Sequence, residues 1–271
     1  MSGMLPIYLL SDFGTADEFV AAMKGAILTR LPSAAILDVS HDIPPFDVCK
    51  GAVVLAAALP HLPPGVCLAV VDPGVGTERR ALLLRCGRGD LLLGPDNGLL
   101  LPAAGRLGDV EAAWSLEGDR LGLEPPHSTF HGRDLFAPAA ARLASGMPPE
   151  EAGSPVGVEA LAPPPWEEPV LTRGAVHCRV IDIDRFGNLR LSAGQDALGG
   201  VEKGEEVLVD VGERQFSARF LDTFGEAAPG EALIYADSSG WLGLAEREGD
   251  LAARLGARPL QLVTVYLTVP R

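Results

Sequence analysis

Residues 6–11, PIYLLS, form an unbroken apolar run that meets an acid at Asp12. A short apolar run without alternation predicts a strand buried on both faces. The next stretch, DEFVAAMKGAILTR at 17–30, changes to helical spacing, and Thr15-x-x-Glu18 ahead of it has the form of a capping box. The alternation then repeats as the strand AAILDVS at 34–40, the helix DVCKGAVVLAAALPHL at 47–62 and the strand GVCLAVVD at 65–72. Strand, helix, strand, helix, strand predicts a parallel sheet covered on both faces, a three-layer α/β domain. Ligands of such sheets bind beyond the carboxyl ends of the strands, where Asp12, the stretch Asp38 to Asp42, and Asp72 all fall.

Farther along, ALLLRC at 81–86 and DLLLGPDNGLL at 90–100 supply short strands and a turn, and FHGRDLFAPAAARLASG at 130–146 supplies a helix closed by Gly146. The proline-rich LAPPPWEEP at 161–169 reads as a linker. Beyond it the period shortens. AVHCRVIDID, NLRLS, EVLVDV, QFSARFLD, EALIYAD, WLGLAE and LQLVTVYLTV are short strands parted by Gly, Asp and Asn turns, with GDLAARLG the one helical insertion. That spacing predicts a small β-barrel or sandwich. The expected division is an α/β domain over 1–162, a linker over 163–171 and a β domain over 172–271.

Composition narrows the function. A chain of 271 residues, 47% of them hydrophobic, has enough apolar side chain for a sizeable core. A formal charge of −14 argues against nucleic acid and anionic membranes as partners, since both are bound through Lys and Arg. Cys49, Cys67, Cys86 and Cys178 lie in apolar stretches without C-x-x-C spacing, as core thiols of a reduced, cytoplasmic protein do. The start MSGMLPIYLL lacks a basic region and a cleavage site and reads as a first core strand, and no apolar run approaches membrane-spanning length.

The loop VVDPGVGTERR at 70–80 begins like a dinucleotide fingerprint, but Arg79 stands where the third glycine belongs and Asp72 would repel phosphate. A crevice holding an anion and a cation is the better reading. Asp12, at a strand end before Gly14, is placed to accept ribose hydroxyls or to ligate a metal. Asp17 and Glu18 favour a helix N-terminus. His41 and Asp42 precede a double proline, which predicts a rigid turn; in a metal reading Asp12, Asp38, Asp42 and Asp72 would form an oxygen-rich cluster, as in calcium-dependent nucleoside hydrolases. His131 is a candidate polar catalyst, while Asp134 pairs with Arg133. In DIDRFGNLRLS, Asp184, Phe186 and Asn188 surround a glycine turn, which predicts a hairpin or, functionally, an aromatic face and a paired donor and acceptor for a purine edge. Ser238 and Ser239 end a strand as a turn or as hydroxyl donors to a carboxylate.

Taken together, SDFGTADEFVAAMKG, VSHDIPPFDV, VVDPGVGTERR, GPDNGLL, STFHGRDLF and DRFGNLRLS resemble, in order and spacing, one family: the S-adenosyl-L-methionine (SAM) hydrolases, or SAM hydroxide adenosyltransferases, relatives of the SAM-dependent fluorinating and chlorinating enzymes. The resemblance covers nearly the whole chain. It implies an α/β domain followed by a β-barrel, a homotrimer with SAM between subunits, and hydrolysis of SAM to adenosine and L-methionine with no cofactor and no metal. It implies a catalytic Asp72, Arg79 and His131, with Arg80 one residue from the same register. Substrate contacts carried over are Asp12 for the ribose diol, Asn188 for adenine with Phe186 beside it, and Asp17, Asp184 and Ser238 toward methionine. Ser239 stands where the halogenating relatives have an arginine. Their lack of the Asp and His makes water the implied nucleophile here. Two rivals remain, a metal-dependent nucleoside hydrolase and a non-catalytic SAM or adenosine binder.

Overall fold

A computed structural model describes residues 4–124 and 129–267. Ser128 of the STFHGRDLF motif and the last two residues of LQLVTVYLTV lie outside the described residues. The chain divides into two compact units, Met1–Pro165 and Trp166–Arg271.

The first unit is built on β1 (Ile7–Ser11), β2 (Ile36–Ser40), β3 (Val66–Val70), β4 (Ala81–Cys86), β5 (Leu91–Pro95), β6 (Val110–Leu116) and β7 (Gly153–Val156), in the sheet order β2-β1-β3-β5-β4-β6-β7. The first four of these strands are parallel, as the alternation of elements predicts. The rest of the sheet is antiparallel, so the sheet is mixed. The reason lies at 86–91: Gly89, at φ +100°, closes a tight turn between β4 and β5 in place of a crossover helix. β1 and β3 are buried along their whole length. Ile7 and Leu9 face α1 (Phe19–Arg30) and the helix at Ala137–Ala144, while Leu10 faces α2 (Val48–Ala58) on the other side. The strand alternation thus feeds both helical layers.

α1 buries Val20, Met23 and Ile27, an i, i+3, i+7 stripe. Its start corrects the capping-box expectation: Glu18 makes no side-chain cap, and residues 15–18 form an exposed bend before Phe19. α2 is capped by Asp47, whose carboxylate accepts from the Lys50 N–H at 2.8 Å, a contact worth about 1 kcal/mol. α3 (Leu101–Arg106) packs on α2. After a short π-helical turn, Gly132–Phe136, comes α4 (Ala137–Ala144), whose alanines let it lie against β1 and β3.

The second unit is a closed barrel. Its strands are β8 (Val170–Leu171), β9 (Ala175–Ile183), β10 (Leu189–Gly194), β11 (Glu206–Val211), β12 (Arg214–Phe220), β13 (Ala232–Ala236), β14 (Trp241–Glu246) and β15 (Leu262–Tyr266), with α5 (Leu251–Leu255) inserted before the last. Seven of them follow the order β10-β14-β13-β12-β11-β15-β9, and β9 pairs back onto β10 to close the ring. β8 adds to the outside of β9, so the last two residues of the expected linker are a strand. Val176, Val180, Leu191, Val209, Ile234, Leu244 and Val265 fill the interior.

Candidate functional site

The buried β3 releases the chain into a loop that carries Asp72 out and returns at Arg79. Val75 N–H donates to Asp72 C=O, and Thr77 Oγ1 donates to Gly74 C=O at 2.7 Å and accepts from Arg79 N–H at 3.4 Å. Gly76 takes φ +79°, a left-handed turn that a side chain would strain. The result is that Arg79 Nε donates to both oxygens of Asp72, at 3.1 and 3.0 Å, and Arg79 Nη2 also donates to Oδ2. The two side chains are only 10% and 5% exposed, so water screens this pair little.

The same Nη2 donates to His131 Nδ1 at 3.0 Å. A guanidinium has no lone pair to offer, so Nδ1 is the acceptor and the neutral imidazole carries its proton on Nε2. Burial pushes the His131 pKa below 6.5, and the positive charge of Arg79 lowers it further; Asp72 and Asp134 pull the other way without reversing the shift. His131 is therefore neutral at pH 7. The π-helical turn that follows it also supports Arg79 from beneath, with the Phe136 ring centroid 5.7 Å from the guanidinium carbon.

Asp72 and His131 line a cavity of about 270 Å³ together with Asp12, Phe46 and Phe130. Asp12 Oδ2 accepts the Phe46 N–H at 2.8 Å. That bond helps hold Phe46 at φ +67°, an unusual backbone for a bulky residue, and the residue is 70% exposed beside the cavity. Phe13, Phe19 and Phe130 form an aromatic wall, with centroids 5.5–5.8 Å apart. These four phenylalanines escaped sequence reasoning, although three of them adjoin its polar residues: Phe13 follows Asp12, Phe19 opens α1, and Phe130 precedes His131.

Arg80 points elsewhere. Its Nε donates to Asp96 Oδ2 at 2.8 Å, and of the two arginines it is Arg79 that meets Asp72. His41 is buried, with Nδ1 2.7 Å from Ser11 Oγ, and its carbonyl accepts the Gly14 N–H at 2.8 Å. Its Nε2 lies 3.2 Å from Asp38 Oδ1, within ion-pair distance but without hydrogen-bond alignment. His41 thus braces the Asp12 loop from below. Asp17 is exposed in the bend before α1 and is not part of the cavity wall. Asp134 is forked by Arg133, at 2.5 and 2.9 Å, as its position in the sequence predicts.

In the barrel, Asp184 Oδ1 accepts the N–H groups of Phe186 (2.8 Å) and Asn188 (3.0 Å), and Oδ2 accepts from Asn188 Nδ2 (2.8 Å). Asp184 therefore builds the hairpin and turns the Asn188 amide so that its oxygen and remaining N–H form one polar edge. Phe186 and Asn188 border a cavity of about 600 Å³ that Phe224, Glu246 and Arg247 also line. Ser238 is exposed in a turn that Asp237 ties by accepting from the N–H groups of Ser239 and Trp241. Arg190 joins that turn to the hairpin strand, donating to Asp237 at 2.5 Å.

The acids of the metal reading do not gather. Among the described residues no three His, Cys, Asp or Glu converge as a metal site, and Asp38 is turned toward Lys24, 2.6 Å away.

Comparison with known proteins places the chain. The profile of the SAM hydroxide adenosyltransferase N-terminal domain matches residues 7–153, and that of the C-terminal domain matches residues 178–264. The chain is 46% identical over 256 residues to the (R)-S-adenosyl-L-methionine hydrolase of Salinispora tropica, covering 93% of this chain and 94% of that protein. It is 29% identical over 289 residues to a fluorinase of an Actinoplanes species, covering 96% of each. A solved structure of an uncharacterized conserved protein from Thermotoga maritima superposes with a TM-score of 0.87 at 34% identity, over 96% of this chain and 99% of that one. With both halves of the chain matched, this protein belongs to the SAM hydroxide adenosyltransferase family.

Proposed function

We propose that the chain hydrolyses SAM to adenosine and L-methionine, by attack of water on the ribose C5′ carbon at the Asp72–Arg79–His131 site. The observation that carries this reading is the contact of those three side chains at a cavity that also contains Asp12, in a chain 46% identical to a SAM hydrolase. The relatives' name specifies the (R) epimer at sulfur, and we extend that preference to this chain.

The sulfonium leaves as a neutral thioether and needs no general acid. A water oxygen forms the bond to C5′ as the C5′–S pair returns to sulfur, and one proton then leaves the new 5′ oxygen. His131 Nδ1 is already an acceptor for Arg79, and its Nε2 bears hydrogen, so His131 orients the water as a donor. Asp72 is the acceptor for its proton. Arg79 clamps the carboxylate, which orients Asp72 toward the water and restrains it from attacking carbon itself. Asp12 takes the ribose diol, with Phe46 against the nucleoside. The barrel's Asn188 and Phe186 take adenine, and Asp184, Ser238 and Asp17 are assigned toward methionine.

The proposal includes a homotrimer with the site completed between subunits, to be checked by mass photometry, and a cytoplasmic location. The latter is supported by Cys67, Cys86 and Cys178, which are buried free thiols. No described helix is long and apolar enough to cross a membrane. The test is incubation with resolved (R)- and (S)-SAM, with and without chelator, followed by chromatography. Adenosine and methionine from the (R) epimer, insensitive to chelation, are expected. Release of free adenine with loss on chelation would transfer the protein to the nucleoside hydrolases, and binding without turnover would make it a SAM-binding protein. In heavy-oxygen water the adenosine should gain its label at the 5′ position.

A further inference from the structure

The motif GPDN at residues 94–97 takes no part in the chemistry above, yet both of its polar side chains close on the ends of the catalytic loop. On the entry side, Asn97 Nδ2 donates to the Val71 carbonyl at 2.9 Å, while its Oδ1 accepts the Leu99 N–H at 3.2 Å. On the exit side, Asp96 Oδ2 accepts from Arg80 Nε at 2.8 Å and lies 2.6 Å from Arg80 Nη2, and the Asp96 N–H donates to the Arg80 carbonyl at 3.0 Å. Asp96 is itself fixed: its side chain is 6% exposed, and Oδ1 accepts the Ala162 N–H at 2.8 Å. Arg80 is held at its far end by the Ala160 carbonyl. The residue before Asp72 and the residue after Arg79 are thus tied to two consecutive residues of one turn.

We infer that Asp96 and Asn97 are positioning residues for the Asp72–Arg79–His131 constellation, setting the span across which Arg79 reaches both partners. Resting on the hydrolase reading above, this assigns a role to a motif that the reaction leaves idle. The physical need is plain. The bonds inside the loop run between Asp72 and Arg79 and leave Val71 and Arg80 to be placed from outside it, and one guanidinium must meet a carboxylate and an imidazole at about 3 Å together. A displacement of about 1 Å at either end breaks one of the two contacts, and misplacement on that scale costs catalysis on the order of 100-fold.

Two variants remove single elements of the clamp. Asn97→Asp replaces the donor facing Val71 with an oxygen and keeps the acceptor for Leu99; Asp96→Asn keeps an acceptor for Ala162 and removes the charge facing Arg80. Each should lower kcat by roughly 10- to 100-fold, the range for groups that orient a reacting residue, with KM for SAM within about twofold of wild type. Arg80→Lys, which keeps the charge without the fork, should fall between wild type and Asp96→Asn. Nitrogen-15 NMR of histidine-labelled enzyme, with His131 assigned through His131→Gln, should show an unprotonated, hydrogen-bonded Nδ1 in wild type and the loss of that signal position in Asn97→Asp. Wild-type kcat in either variant would overturn the inference. So would a loss of kcat that follows a fall in melting temperature while the His131 signal stays in place. Should Asn97→Asp fail to fold, Asp96→Asn carries the same comparison. The NMR signature needs no turnover, so a wild-type protein inactive on SAM would sink the hydrolase reading while the clamp is still judged on His131.

Discussion

The loop at 72–80 and the hairpin at 184–188 are both glycine-containing polar turns at strand ends, and they are held in opposite ways. The hairpin is local: Asp184 bonds Phe186 and Asn188, two and four residues on. The loop is not. Arg79 reaches 52 residues to His131, and the loop's neighbours Val71 and Arg80 reach 26 and 16 residues to Asn97 and Asp96. A self-contained turn can present a recognition surface from one short segment. A reacting constellation needs groups that a single segment cannot supply, and the fold must deliver them to the open end of the parallel strands.

Breaking the long-range set should have the largest effect. Asp72→Ala and His131→Ala are each expected to lower kcat by roughly 100-fold or more while SAM still binds, as removal of a polar group acting at the transition state does. Calorimetric titration alongside turnover checks it, and normal hydrolysis by both variants would refute the assignment. Arg79→Lys retains the charge but loses the fork to two partners, and a fall of about 10- to 100-fold is expected.

The hairpin should respond more mildly and in the other parameter. Asp184→Ala removes contacts worth about 1 kcal/mol each, so KM should rise by roughly fivefold or more with kcat little changed. A drop in kcat equal to that of Asp72→Ala would erase the distinction between the two regions.

The titration of His131 sharpens the same contrast. Its folded pKa lies below the ordinary 6.5, so between those two values the unfolded chain binds more protons than the native one. Stability should rise with pH across that window and lose this dependence above it. Denaturation of wild type and His131→Gln at several pH values tests the sign, because the variant should lose this part of the slope. The smallest effect is expected at the solvent-facing Lys24–Asp38 pair, where Lys24→Ala should cost less than about 1 kcal/mol in urea unfolding.

Much of this was legible in the chain. The unbroken apolar runs marked β1 and β3, because strands buried on both faces have no reason to alternate. Asp184-x-x-Gly187-Asn188 marked its hairpin, because the carboxylate and the φ +79° glycine complete the turn within one segment. The capping box misled, because Thr15 to Glu18 remains an exposed bend, and local propensity yields to the path the chain takes out of β1. The antiparallel half of the first sheet was also missed, since pairing direction depends on which strands meet.

Sequence by itself determined the two-unit division of pattern, the polar residues at the strand ends and the family to which they belong. Tertiary structure alone decided which arginine faces Asp72, that His131 offers Nδ1 to it and keeps its proton on Nε2, that four phenylalanines line the cavity, and that GPDN grips both ends of the loop. The physical reason is range. Backbone hydrogen bonding and apolar periodicity act over a few residues and can be read in order, whereas a guanidinium shared between Asp72 and His131 exists only once β1, β3 and the helix after His131 are packed against one another.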